Sequence, residues 1–127
     1  MSIEELRKNT MMVHLLDALD ASQDIGHYGR LVFAMVAHHF MDEDELVAYL
    51  QKDVNFSETD ARSLYRQVQS KDYNPPKRDR VLEWQQQQEF PICPDPDDPD
   101  ACNVYKDLKF PDHVYNHIAD YYEQKVS

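Results

Sequence analysis

Gly26-His27-Tyr28-Gly29-Arg30-Leu31-Val32-Phe33-Ala34-Met35-Val36-Ala37-His38-His39-Phe40 is the stretch whose reading decides the fold. Leu31, Val32, Phe33, Met35 and Val36 crowd into barely more than one helical turn, too many apolar side chains for a single stripe. A helix over 27–40 therefore reads as the buried one, and it needs other helices around it. The chain holds only two glycines, Gly26 and Gly29, both at the mouth of this helix, which favours helices over hairpins elsewhere.

The flanks supply those helices. Toward the N-terminus, Ser2 with Glu5 three residues on is a capping box, and Leu6, Met12, Leu15, Leu16 and Leu19 follow at helical spacing. The polar run from Asp20 to Gly26 ends that first helix. The capped start at Ser2 also reads as the beginning of a full-length chain. Beyond the buried helix, Asp42 reads as an N-cap with Glu45 at the third helical position, opening a helix through Leu46, Val47 and Leu50. Ser57 and Asp60 repeat the signal for a helix with Ala61, Leu64, Tyr65 and Val68 on one face. Tyr73-Asn74-Pro75-Pro76 then halts the pattern, because proline cannot continue a helix and pushes the residue before it toward extended backbone.

A further helix is expected from Lys77 to Gln88 around Val81, Leu82 and Trp84, and a last one from Pro111 through Val114, Tyr115, Ile118, Tyr121 and Tyr122. Between them, residues 89–110 carry prolines at 91, 94, 96 and 99 and read as irregular. No internal repeat is visible; the low-complexity pieces are the glutamines at 85–88 and the Asp/Pro loop. The expected architecture is an all-α, single compact domain over 1–127, with about five to six helices and a long Pro/Asp-rich irregular segment near the C-terminus.

Composition bounds the function. At 127 residues the chain has the length of one domain, and 42% apolar with 11% aromatic residues can fill one modest core. The longest apolar run, Leu31 to Ala37, is far short of the roughly 18–20 residues of a membrane span, so no membrane partner is expected. Met1-Ser2-Ile3-Glu4-Glu5 lacks the basic start of a signal peptide, which points to the cytoplasm. A formal charge of −11 repels phosphates at long range and excludes a surface that grips nucleic acid everywhere. Acid is concentrated at 42–45 and 95–100, however, so a local basic site remains open.

Three clusters carry chemistry. His27 and Arg30 share a face of the first turn of the buried helix, where free N–H groups favour anions and an arginine fork can hold a phosphate through two bonds. A helix-entry turn with an ordinary Arg30 surface salt bridge is the plain alternative. The second cluster joins Tyr65, Arg66 and Lys71 to the segment from Tyr73 to Arg80 with Lys77 and Arg78. It is the densest positive stretch, interleaved with aromatics that can stack on a base. Its alternative is a solvated helix face. The third is Cys93 and Cys102, too few for a four-cysteine metal site and open to three readings: two unlinked thiols, a disulfide, or half a metal site completed by histidines such as His38, His39, His113 or His117. Unlinked thiols are the expected state. No nucleophile elbow, P-loop or zincin helix is present, and the acid pairs Asp42/Asp44 and Asp97/Asp98 read as a cap and a loop tip. The chain reads as a binding domain that is not itself an enzyme.

The order of these pieces resembles the C-terminal domain of the large subunit of archaeal and eukaryotic DNA primase, a helical domain that carries an iron–sulphur cluster on four cysteines. The resemblance rests on His27-Tyr28-Gly29-Arg30 before an apolar helix, Asp42-Glu43-Asp44-Glu45-Leu46-Val47, Asn55-Phe56-Ser57-Glu58, Tyr65, Tyr73-Asn74-Pro75-Pro76, the two cysteines and Tyr121-Tyr122. It spans about residues 10 to 122. Two family cysteines are missing, one near Met11 or Met12 and one near Lys77 or Arg78, while Cys93 and Cys102 fall where the other two ligands stand. Half a site cannot hold a [4Fe–4S] cubane on thiolates alone, so the chain looks like a degenerate member without cofactor. The alternative is a 4Fe-4S cluster or zinc held by Cys93 and Cys102 with other ligands.

By resemblance the domain would not polymerise but would serve a catalytic primase subunit in replication or repair. It would bind the initiating nucleoside triphosphate and the 5′-triphosphate end of a primer on its template. His27, Arg30, Tyr65, Arg66, Lys77 and Arg78 would contact that ligand. The competing expectation is an acidic helical adaptor that kept the fold, lost nucleic-acid binding and docks a protein through Trp84, Tyr115, Tyr121 and Tyr122.

Overall fold

The computed structural model describes residues 3–71 and 73–116, and every regular element among them is helical. Helix α1 (Ile3–Leu6) and helix α2 (Thr10–Asp20) replace the single N-terminal helix expected from the spacing of Leu6 to Leu19. The break is made by Asn9. Its side-chain Oδ1 accepts from the N–H of Met12 at 3.1 Å, so it starts a new helix. Its Nδ2 donates to Asp107 Oδ2 at 2.9 Å, tying the new helix start to the far end of the chain. Asn9 is wholly buried, and these bonds are what make that burial tolerable. Ser2 of the expected capping box lies outside the described residues.

Helix α3 (Gly26–Ala37) is the buried helix of the sequence pattern and packs against α2, α4 (Glu43–Leu50), α5 (Glu58–Lys71) and α6 (Arg78–Gln85). Val32, Phe33, Ala34 and Val36 are fully buried along it. Its entry depends on Gly26, whose φ of +79° is the left-handed conformation that side chains resist. A Cβ there would also lie 2.5 Å from the side-chain oxygen of Gln88, which accepts from the Tyr28 N–H.

The expected starts of α4 and α5 both form. Asp42 and Glu45 make the reciprocal capping box, and Ser57 Oγ accepts from the Asp60 N–H at 3.1 Å. Helix α6 ends at Gln85, three residues before the predicted end, because Gln88 leaves the helical axis to bond Ile25 and Phe90. The irregular segment predicted over 89–110 is interrupted by a short helix α7 (Val104–Asp107), capped by the Asn103 side chain on the Tyr105 N–H at 3.1 Å. Residues 112–116 are helical too, as the Pro111 signal predicts; Ile118, Tyr121 and Tyr122 lie outside the described residues.

Cys93 and Cys102 are joined in a disulfide, Cα to Cα 5.7 Å, which corrects the expectation of unlinked thiols. Between them the backbone makes successive tight turns, Asp98 N–H to Asp95 O at 3.3 Å and Ala101 N–H to Asp98 O at 3.0 Å, and these fold the Asp/Pro loop back on itself. Closing a loop of this length stabilises the fold by about 2–3 kcal/mol in the chain-entropy account. One core runs from Leu6 through α2–α6 to Ile92, Val104, Leu108, Phe110 and Val114, so the loop-rich C-terminal part shares it rather than hanging from it. Among the described residues no helix is long and apolar enough to cross a membrane.

Candidate binding groove

The start of α3 is engaged by the protein itself. Asp53, whose side chain is entirely buried, accepts from the Ile25 N–H at 3.0 Å and from Arg30 Nη1 at 3.0 Å. Asp24 accepts from the Gly26 N–H at 2.9 Å and also from Arg30 Nη1 at 3.2 Å. The bond from Gly26, then the Asn55 amide, outweigh burial and hold the Asp24 carboxyl below the usual carboxylate range, with Arg30 adding to the shift. Arg30 also lies over the Phe56 ring at 4.5 Å. The arginine expected to fork onto a phosphate is thus held by two internal carboxylates. His27 is exposed and meets the Tyr28 ring edge-on at 5.1 Å.

The second cluster separates into two places. Tyr65 faces the core at 8% exposure, and burial, then Glu43 and Asp42, push its phenol up; it offers no face for stacking. Arg66 is exposed and lies 3.7 Å from Glu43. Its neighbour Arg62 gathers Glu43, Asp44 and Glu58 at 2.6, 3.2 and 3.1 Å and so staples α4 to α5.

The segment from Tyr73 to Arg80 does build a site. Tyr73, Pro75 and Pro76 line a groove of about 820 Å³ floored by Leu31 and Met35 of α3 and walled by Arg80 and Trp84 of α6 and by Tyr105. Lys77, at the N-cap position of α6, stands at its rim, where a second hollow of about 510 Å³ continues past Arg78, Asn103 and Tyr115. Trp84 stacks with the Tyr28 ring, 5.6 Å and 17° away, and the Arg80 guanidinium lies 5.9 Å from its ring. Asp79 and Glu83 also line the groove, Glu83 pairing with Arg80 at 3.6 Å. The arrangement offers aromatic faces with cations at the edge, suited to a flat, negatively charged ligand.

Tyr105 is the groove aromatic that sequence reasoning missed, while Tyr28 supports the groove from behind by stacking on Trp84. Tyr105 sits in the stretch read as irregular, and the usable signal was Asn103, a capping residue two positions ahead. Its hydroxyl donates to the Pro75 carbonyl and closes the groove wall. Burial, then Tyr115, push the Tyr105 phenol up to about 12. The sign follows from linkage: the unfolded phenol ionises near its ordinary 10, the folded one only near 12, so stability is full below pH 10 and drains as pH rises toward 12. Urea unfolding between pH 9 and 11.5 should show that loss, and Tyr105→Phe should flatten its slope. An unchanged slope in the variant would place the titration elsewhere.

With their sulfurs bonded to each other, Cys93 and Cys102 provide no thiolate for zinc or a cluster. Among the described residues no group of three or more His, Cys, Asp or Glu side chains is placed to hold a metal ion. His38, His39 and His113 instead gather near Phe110. In comparisons with family models, curated proteins and solved structures, none matches this chain.

Proposed function

We propose that the chain is a non-catalytic binding module whose groove holds a nucleotide or the 5′-phosphorylated end of a short strand, in the service of a separate polymerising subunit of primase type. One observation carries this reading. In a chain of formal charge −11, Lys77, Arg78 and Arg80 are grouped around the aromatic faces of Tyr73, Trp84 and Tyr105. Stacking of a base on such a face is worth about 1–3 kcal/mol, and the cations answer the phosphates. The acids Asp79 and Glu83 in the same groove keep the affinity modest and favour a terminus over a long duplex.

Trp84 is the chain's single tryptophan, so its emission reads the groove directly. Titration with a nucleoside triphosphate and with a labelled 5′-triphosphate primer–template should quench Trp84. Trp84→Ala should weaken anisotropy-detected binding about tenfold, in line with the loss of one stacked base. Lys77→Ala should weaken it less and flatten its salt dependence. Wild-type protein that binds neither ligand at low salt would remove this reading.

The enclosure of Arg30 by Asp24 and Asp53 favours the second reading, an acidic helical adaptor that docks a protein partner. Trp84 and the 37% exposed Tyr115 border the linked hollows and would be its anchors. That reading is supported if Trp84→Ala and Tyr115→Ala abolish partner binding while nucleotides leave Trp84 emission unchanged.

A further inference from the structure

The groove wall leans on a loop that a single covalent bond holds shut. The Cys93 N–H donates to Gln85 Oε1 at 2.7 Å, so the loop's first end is fixed to the C-terminal end of α6. Arg78 Nη2 donates to the Pro96 carbonyl, so the loop's middle is fixed to the start of α6. Its second end is Cys102, held at a φ of +66°, a left-handed conformation that a cysteine does not favour unaided. The next residue, Asn103, caps α7, and α7 presents Tyr105, whose hydroxyl reaches Pro75 across the groove. Pro99 of the loop lines the second hollow beside Lys77 and Arg78. The disulfide thus sits one residue from the cap that positions the wall and within the loop that pins both ends of α6.

We propose that the Cys93–Cys102 disulfide is a redox clamp on the groove: oxidised, it holds the wall that Tyr105 and the α6 cations form; reduced, it releases the wall and weakens ligand binding. Reduction needs a dithiol, such as a Cys-x-x-Cys reductase or dithiothreitol. One thiolate of the dithiol attacks a cysteine sulfur, the protein S–S bond breaks and a mixed disulfide forms. The second thiol then displaces it, leaving two protein thiols and the oxidised dithiol; two electrons and two protons pass to the protein. Both cysteines are about 1% exposed, so attack requires the loop to open first. By reciprocity, a ligand that binds the oxidised form more tightly makes the disulfide harder to reduce at equilibrium by the same factor.

The identity of the ligand rests on the function proposed above, whereas the clamp has a readout of its own. Full-length protein would be compared in its oxidised form, after dithiothreitol, and as the Cys93→Ser/Cys102→Ser variant. Reduction should red-shift Trp84 emission and speed amide exchange in α7, and should lower affinity for the 5′-triphosphate primer–template about fivefold or more, the lower end for coupled sites. The double variant should match the reduced protein and ignore dithiothreitol. Trp84 emission and α7 exchange that stay unchanged on reduction overturn the clamp, whether or not a ligand binds. Equal affinity of oxidised and reduced protein for that ligand also overturns it. Absence of binding in both forms removes the functional reading, while a Trp84 and α7 response would still support the clamp.

Discussion

Arg30→Ala is expected to cost about 3–5 kcal/mol of folding stability, before any ligand enters the experiment. The Asp53 side chain is 0% exposed and the Arg30 side chain 15%, so their 3.0 Å bond lies mostly out of water. Removing the guanidinium leaves a buried carboxylate with only the N–H groups of Ile25 and Asn55 for company. An uncompensated buried charge costs far more than an exposed pair contributes. Thermal unfolding should fall by on the order of 10 °C, scaled to a domain of this size. Asp53→Asn should cost less, since a neutral amide needs no counter-charge. The double variant Arg30→Ala/Asp53→Asn should recover part of the loss, the mark of a coupled pair. A cost under about 1 kcal/mol for Arg30→Ala would mean that the pair is solvated and Arg30 is available to a phosphate. The expected result makes this variant a poor probe of binding, because lost folding and lost affinity look alike. Lys77→Ala is the cleaner probe because Lys77 is exposed, whereas Trp84 packs against the core and stacks on Tyr28, so binding by Trp84→Ala is read beside its unfolding midpoint.

That contrast marks what could be read in the residues alone. Local signals were legible where partners lie within a few positions: the Asp42/Glu45 box and the Ser57 cap are three-residue patterns, and both form. The all-α class followed from apolar spacing for the same reason. The buried partner of Arg30 was not legible, because Asp53 lies 23 positions away and reaches it only through the packing of α3 against α4. Asn9 misled in a similar way. A single asparagine inside an apolar repeat looks like a tolerated surface residue until Asp107, 98 positions on, appears beside it. The disulfide was one of three readings, and choosing among them required the turns at 95–101 that bring its ends together. The groove was half visible. Tyr73, Lys77 and Arg78 are neighbours in sequence, whereas Tyr105 joins them only through α7, an element of a single turn with no periodicity to detect.

The charge distribution follows the same logic of consumption by the fold. Arg62 is engaged by three acids, Arg30 by two, and Arg7 by Asp17 and Asp20. In an acidic chain the place of a cation, such as one at a groove rim, is therefore more informative than the total charge. Lys77 is such a cation by position, at the N-cap of α6 and on the edge shared by both hollows.

Phe33→Ala is the second large effect expected, a loss of about 3–5 kcal/mol from the cavity left at the centre of α3. Phe33 is 0% exposed, with its ring 6.2 Å from that of Tyr49, so it fills the space where α3 meets α4. Against a typical total of about 5–15 kcal/mol, such a loss leaves a marginal domain. Phe33→Leu, which keeps most of the volume, should cost under about 1.5 kcal/mol. Urea midpoints with an unchanged slope would measure both, since the surface exposed on unfolding is the same. The helix separates two jobs along its length: Phe33 fills the core, whereas Leu31 and Met35 floor the groove. Folded Phe33→Ala protein, held at low temperature and without urea, should accordingly keep the groove affinity of wild type within about twofold, because Phe33 itself does not line the groove. A Phe33→Ala variant that loses binding while still fully folded would show that α3 transmits core packing to the groove. The groove would then be a property of the whole bundle rather than of the Tyr73–Arg80 segment and its disulfide-held wall.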